Sequence, residues 1–213
     1  MELTKHTHAC VTLDKAGGHL LVDPGTFASN VAELLAATNT VLITHEHFDH
    51  FDEAAVTAAL DARPELRVFA PSAVTSRWPG RESQVTAVAP GDRFQAEGFE
   101  IAVFGGVHAL VHADVPRIAN VGYLIDDAVY HPGDSYEVPP AAVHTLLVPT
   151  SGPWTKMAET VDFVRAVRPE TLVQIHDIML SEIGQQSAAM FLSPKMLTEV
   201  ALTIVPAGES MSL

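Results

Sequence analysis

Seven residues, Thr44 to His50, read THEHFDH and follow directly on the apolar run Val41-Leu42-Ile43. An apolar run of this length bounded by polar residues reads as a buried strand. The chain therefore delivers three histidines and two acids to one strand end, where a rigid sheet can aim loop side chains at a single point. His45 and His47 are two apart, so an extended segment turns both the same way. Asp49 and His50 follow where the turn into the next helix aims them at a neighbouring point. Imidazole with carboxylate suits Zn²⁺, Mn²⁺ or Fe. With Cys10 as the one cysteine, the Cys₄ type of structural zinc site is excluded.

The pattern recurs at other strand ends. His108 follows IAVFGGV, Asp134 follows AVYHPG and His176 follows TLVQI. His108 is preferred to His112 because it stands at the strand end, whereas His112 falls inside the loop. Seven candidate donors at four strand ends are enough to surround two divalent ions.

The rest of the chain supplies a scaffold for these ends. HTHACVTLD alternates apolar and polar residues and reads as a half-buried strand, returning through a Gly17-Gly18 turn as HLLVD. On this reading His6, His8 and His19 line a solvent face of the first hairpin. Ser29 is the expected N-cap of NVAELLAAT. EAAVTAALDAR and TKMAETVDFVRAVRP read as helices, the second stopped by Pro169. LSPKMLTEVAL reads as a third, capped by Ser193 with Pro194 in its first turn. RVFA, QVTAVA, RFQAE, EIAVFGGV, VGYLID, AVYH, TLLVP and TLVQIH read as strands. Strands, a helix, more strands and then strand–helix–strand indicate a layered α/β domain. With 213 residues, a single domain over 1–213 is expected.

Charge narrows the partners. Acidic residues number 26 against 12 basic ones, a net charge of −14, and no basic cluster appears. Such a surface repels nucleic acid at long range. No apolar stretch approaches the ~20 residues of a membrane span. The N-terminal MELTKHTHAC lacks a signal-peptide pattern. The expectation is a cytoplasmic protein with a small-molecule substrate, and with no nucleic-acid or membrane partner. Oligomeric state is left open.

In this light HEHFDH resembles the HxHxDH signature of the metallo-β-lactamase superfamily. The family's other elements follow in order: Asp23 in DPG, His108, Asp134 in PGDS, and His176. The compact length, VGYLID and VPTSGPWTKMAE look most like the branch of the L-ascorbate-6-phosphate lactonases. The resemblance implies a four-layer αβ/βα sandwich, two mixed β-sheets flanked by helices, with the site at one edge of the sheets. It implies that His45, His47 and His108 hold a first ion, that Asp49, His50 and His176 hold a second, and that Asp134 bridges them. Asp23 would orient the HxHxDH loop by accepting a hydrogen bond. It further implies a hydrolase in which a metal-bridging hydroxide cleaves an ester, lactone, amide or phosphodiester. Asp49 would help move the proton, and two divalent ions, Zn²⁺ before Mn²⁺ or Fe, would be the cofactors. A mononuclear iron oxygenase of the persulfide dioxygenase kind and a non-catalytic metal-binding protein are the alternatives. His112, Asn120, Trp154, Lys156 and Met157 lie in loops flanking the proposed ligands and are candidates for the substrate pocket. His131 and His144 read as structural or surface groups, and Cys10 as a small core residue.

Overall fold

The computed structural model describes all residues, Met1–Leu213. Two seven-stranded sheets stack face to face. The first sheet begins with the antiparallel strands β1 (Glu2–Lys5), β2 (Val11–Lys15) and β3 (Gly18–Val22). It continues in parallel through β4 (Thr40–Leu42), β5 (Arg67–Ala70) and β6 (Val85–Ala87). The second sheet repeats the plan. The antiparallel strands β7 (Arg93–Ala96), β8 (Phe99–Val107), β9 (Ala119–Ile125) and β10 (Val129–His131) are followed by parallel β11 (Thr145–Pro149), β12 (Thr171–Ile175) and β13 (Leu202–Thr203). The last strand, β14 (Ser210–Ser212), returns to pair antiparallel with β1 at the edge of the first sheet.

Side-chain alternation explains the layering. Along β3, Leu20 and Val22 face the second sheet, whereas Leu21 faces the helices α1 (Val31–Ala37) and α2 (Glu53–Ala62). Along β12, Val173 and Ile175 face inward, whereas Leu172 meets α4 (Met157–Val167) and α5 (Glu182–Phe191). The short α3 (Ser72–Thr75) sits beside β5 and β6. Parallel strands covered on both faces read as continuous apolar runs, as TLLVP and TLVQI do. Each fully buried Leu, Ile or Val contributes about 1.5–3 kcal/mol to holding the four layers together. The result is the αβ/βα sandwich. No helix is long and apolar enough to cross a membrane.

Four local expectations are corrected. HTHACVTLD is not one strand. Residues after Lys5 form a turn in which the His6 amide donates to Cys10 O at 2.9 Å and the Cys10 amide to Thr7 O at 3.1 Å. His8 takes φ of 66° there, which no strand allows. The helix expected in LSPKMLTEVAL lies upstream as α5, capped by Ser181 Oγ accepting from the Gly184 amide at 3.2 Å, and Pro194–Leu197 is turn. Asn30, not Ser29, occupies the N-cap of α1, without a side-chain hydrogen bond. The first hairpin turns on Ala16-Gly17, both with positive φ, so that Lys15 pairs with Gly18.

Candidate metal centre

The β4 run ends under an acid that organises everything after it. Asp23, fully buried beyond β3, accepts hydrogen bonds from the Thr44 amide at 2.8 Å and from Thr44 Oγ1 at 2.7 Å. Its Oδ2 also accepts from His50 Nδ1 at 2.7 Å. The DPG turn packs directly beneath the motif. A Cβ on Gly25 would stand 1.8 Å from Asp49 O, so only glycine fits. The Phe51 amide donates to His47 O, and Asp52 Oδ1 caps α2 by accepting from the Ala55 amide at 2.9 Å. HEHFDH is thus one tight loop between a buried strand and a capped helix.

The second sheet brings the remaining donors. His108 ends β8, and its Nδ1 donates to Ala109 O at 2.6 Å, which leaves Nε2 pointing inward. Asp134 follows the turn after β10. Its amide donates to Asn120 Oδ1 at 2.9 Å, while Asn120 Nδ2 donates to Pro132 O. A Cβ on Gly133 would meet that Asn120 oxygen at 2.3 Å, and Gly133 has φ of 61°. Trp154 Nε1 donates to Asp134 Oδ2 at 2.9 Å. His176 ends β12 with φ of 54°, and its carbonyl accepts from the Ser151 amide and hydroxyl.

All seven donors read from the strand ends meet at one sheet edge. They form two groups, His45–His47–His108–Asp134 and Asp49–His50–His176, the second joined by His8. In each group the donor atoms lie within 4.8 Å of one another. Asp134 stands between the groups. Its Oδ2 is 3.2 Å from His108 Nε2 and 3.1 Å from His176 Nε2, and its Oδ1 is 3.0 Å from His50 Nε2.

These residues fit divalent ions. Each group offers three imidazoles and a carboxylate, the mixed N/O set that zinc and manganese accept. His50 Nε2 and Asp134 Oδ1 are buried and face each other without the alignment of a hydrogen bond, and His176 Nδ1 is also buried without a partner. Buried polar atoms left so unsatisfied are costly in a core but are what a ligand set requires.

The electrostatics are uneven. Burial holds His45 well below its ordinary pKa, with the neighbouring His50 adding to the effect. Burial and the neighbouring His108 lower His47. Burial would also lower His50, but Asp134 and Asp23 more than reverse it and raise it well above. Burial pushes Asp134 up, yet the adjoining His50 and His176 hold it well below the usual carboxylate range. Asp49 is lowered to about 2: burial opposes this, and the His8 hydrogen bond and His50 outweigh it.

Above the donors lies a cavity of about 310 Å³. His8, His47, Asp49, His108, Asp134 and His176 line its floor, with Trp154 and Pro153 on one side and Phe27, Phe48, Val111 and Met179 around the mouth. Phe48 and Met179 are 63% and 65% exposed. Of the pocket candidates, only Trp154 lines this cavity. His112 is exposed on the loop, where its Nδ1 accepts from the Asp114 amide. Asn120 is fully buried beneath Asp134, Met157 packs against the core under α4, and Lys156 pairs outside with Glu159. Helix packing in one case and the turn at Asp134 in another used the side chains that loop position had suggested were free.

His6 and His8 are also corrected, since both are buried. His8 Nε2 stands 3.1 Å from Asp49 Oδ2 at the centre itself. The signal that could have flagged it was the crowding of two histidines before Cys10, which an alternating pattern absorbed. His131 is structural, its Nε2 donating to Ala9 O at 2.9 Å. His19 pairs with Asp14 at 2.6 Å, half-buried on the hairpin, and His144 faces Glu170 on the surface. Cys10 lies in the core beneath α1 and α2, where burial raises its thiol pKa far above the ordinary value.

A family profile described as "Beta-lactamase superfamily domain" matches residues 2–176. The protein Rv0786c of Mycobacterium tuberculosis is 34% identical over 188 residues, covering 85% of this chain and 86% of that protein. A UPF0173 metal-dependent hydrolase of Thermoplasma volcanium is 28% identical over 137 residues, 61% of this chain and 59% of its own length. The solved structure of the metallo-β-lactamase fold protein YhfI from Bacillus subtilis superposes with a TM-score of 0.72 at 14% identity, covering 99% of this chain and 98% of its own.

Proposed function

The chain belongs to the metallo-β-lactamase superfamily, and from that premise we propose that it is a hydrolase of small molecules working with two divalent ions, zinc or manganese. One observation carries the reading: two four-donor groups converge on the floor of a solvent-open cavity. The likeness to a relative named a metal-dependent hydrolase supports it. When bound, paired divalent ions supply Lewis acidity and make water a usable nucleophile at neutral pH.

The chain's own residues do the rest. His45, His47 and His108 would hold one ion, Asp49, His50 and His176 the other, with Asp134 shared. Asp23 takes the His50 Nδ1 proton into a hydrogen bond, which turns the Nε2 lone pair inward in the tautomer a ligand needs. Trp154 and Asn120 hold the Asp134 carboxylate and amide in place. Asp49, whose Oδ2 stands 3.1 Å from His8 Nε2, would also orient the attacking water and help move its proton. Phe27, Phe48, Val111, Pro153 and Met179 shield the reacting group from bulk water.

The lining includes no lysine or arginine. That favours an ester, lactone or amide whose non-reacting part is apolar and uncharged, over a phosphorylated sugar lactone or a phosphodiester. A mononuclear iron oxygenase would leave one of the two four-donor groups without a use. The test is metal content on untagged protein by mass spectrometry of an acid digest, followed by a screen of apolar esters and lactones. About two zinc or manganese ions per chain with turnover is the expected result. About one iron per chain, with oxygen uptake on persulfides, overturns the proposal.

A further inference from the structure

We infer that His8 is a metal ligand whose Nε2 completes the second donor group beside Asp49, His50 and His176. The inference rests on the reading of the centre as a two-ion site.

The turn between β1 and β2 is held closed by the His6 and Cys10 amides, and His8 stands at its tip with φ of 66°. A non-glycine residue keeps a left-handed backbone when its surroundings require it, and such residues gather at functional sites. Here the surroundings are the β12 end. The His176 amide donates to His8 O at 3.1 Å, and His176 is itself left-handed. A second tie runs alongside, the buried ion pair of Lys5 Nζ with Asp177 Oδ2 at 2.8 Å. Two loops from opposite ends of the chain are therefore braced against each other over the centre.

The bracing aims the ring. His8 is 1% exposed, and its ring centroid lies 3.8 Å from that of His176. Its Nδ1 is buried without a partner, so Nε2 is the atom through which this ring makes polar contact. Nε2 points into the group, and all four donor atoms fall within 4.8 Å of one another. Donors so placed reach a common ion at bond lengths of about 2.0–2.2 Å with small adjustments. Without His8 the second group holds two imidazoles and one carboxylate; with it, both groups carry the same set. His8 thereby adds a third imidazole to the ion that Asp49 and His50 would hold.

The alternative is that His8 only donates a hydrogen bond to Asp49. Titration of the metal-free protein with Co²⁺, followed by proton NMR, separates the two. The expected result is uptake of about two equivalents, with hyperfine-shifted signals from six imidazole rings, those of His8 and the five other histidines of the groups. His8→Ala and His8→Gln should each lose one ring's signals and weaken one equivalent by more than about 100-fold. Glutamine keeps an N–H for Asp49, so native-like binding by His8→Gln overturns the inference. Two equivalents bound by the native protein with only five shifted rings overturns it as well, while the two-ion reading stands. Uptake of no cobalt sinks both readings.

Discussion

The two donor groups carry the same side chains but are assembled differently. His45 and His47 come from the loop directly after β4, and His108 and Asp134 follow β8 and β10 in the facing sheet. Each of these positions lies one to five residues beyond a strand. Asp49 and His50 are adjacent in a loop, and their partners His8 and His176 lie 168 residues apart, on left-handed backbone that holds itself by one amide. The charges differ as well. Burial keeps His45 uncharged, whereas His50 is held above its ordinary pKa by Asp134 and Asp23 despite burial. The lesson is that identical donor chemistry rests on sheet geometry in one group and on loop bracing and carboxylates in the other.

Asp134 joins the groups, so its removal gives the largest expected effect. Asp134→Ala should lower kcat by at least about 10³-fold, several kcal/mol of transition-state stabilisation. It should weaken both metal equivalents, as read by calorimetry on protein shown to be folded by circular dichroism. One equivalent surviving at native affinity would mean that the groups are independent.

Asp23→Asn separates them. It disturbs the His50 tautomer and should weaken one equivalent by about 10–100-fold, leaving the His45–His47–His108 side close to native. Equal loss at both sites would show that Asp23 acts through the whole loop by way of Thr44.

Acidity probes the charge difference in metal-free protein. His8, His45 and His47 are lowered chiefly by burial from 6.5, so they bind protons less readily when folded than when unfolded. The stability they contribute is lost as pH falls below 6.5. His50 works the other way: its contribution is fully present below 6.5 and is lost as pH rises through its higher folded value. Asp49, lowered from 3.8 to about 2, contributes stability that is present above 3.8 and lost as pH falls through about 2. His6 and His131 are lowered by burial in the same way, and the His50 contribution is already complete below 6.5, so Tm should fall between about pH 7 and pH 5, by about 2–4 °C per kcal/mol lost. His50→Ala should remove the decline on the alkaline side. A flat Tm over the acid range would contradict the assigned burial effects.

The smallest effect is expected at the mouth. Phe48→Ala should raise KM for an apolar ester a few-fold, about 1 kcal/mol of lost contact, with both metal affinities unchanged. A shift in metal affinity would mean that Phe48 supports the HEHFDH loop rather than the substrate.

Much of this centre was legible because strand ends are legible. An apolar run that stops at His, Asp or a Gly-Asp turn marks an edge whatever the rest of the chain does, and His45, His47, His108, Asp134 and His176 all stand at such stops. The layered α/β class followed from the same runs, since apolar strands such as TLLVP need cover on both faces. The C-terminal helix was misplaced because Ser193-Pro194 imitates a start signal, while the glycine in EIGQQSAAMF weakens a real helix locally. His112 and Met157 were misplaced because loop position says nothing about which way a side chain turns.

By itself, then, the sequence determined the strand ends, the donor types and their crowding into one loop, because periodicity and local chemistry are properties of neighbouring residues. Only the tertiary structure decided that His8 joins the centre. In HTHACVTLD the local alternation favours a strand. A hydrogen bond from residue 176, with the Lys5–Asp177 ion pair beside it, turns residue 8 into left-handed backbone instead. No window of adjacent residues contains that bond, and a contact so distant in the chain overrides a local preference worth only about 1 kcal/mol.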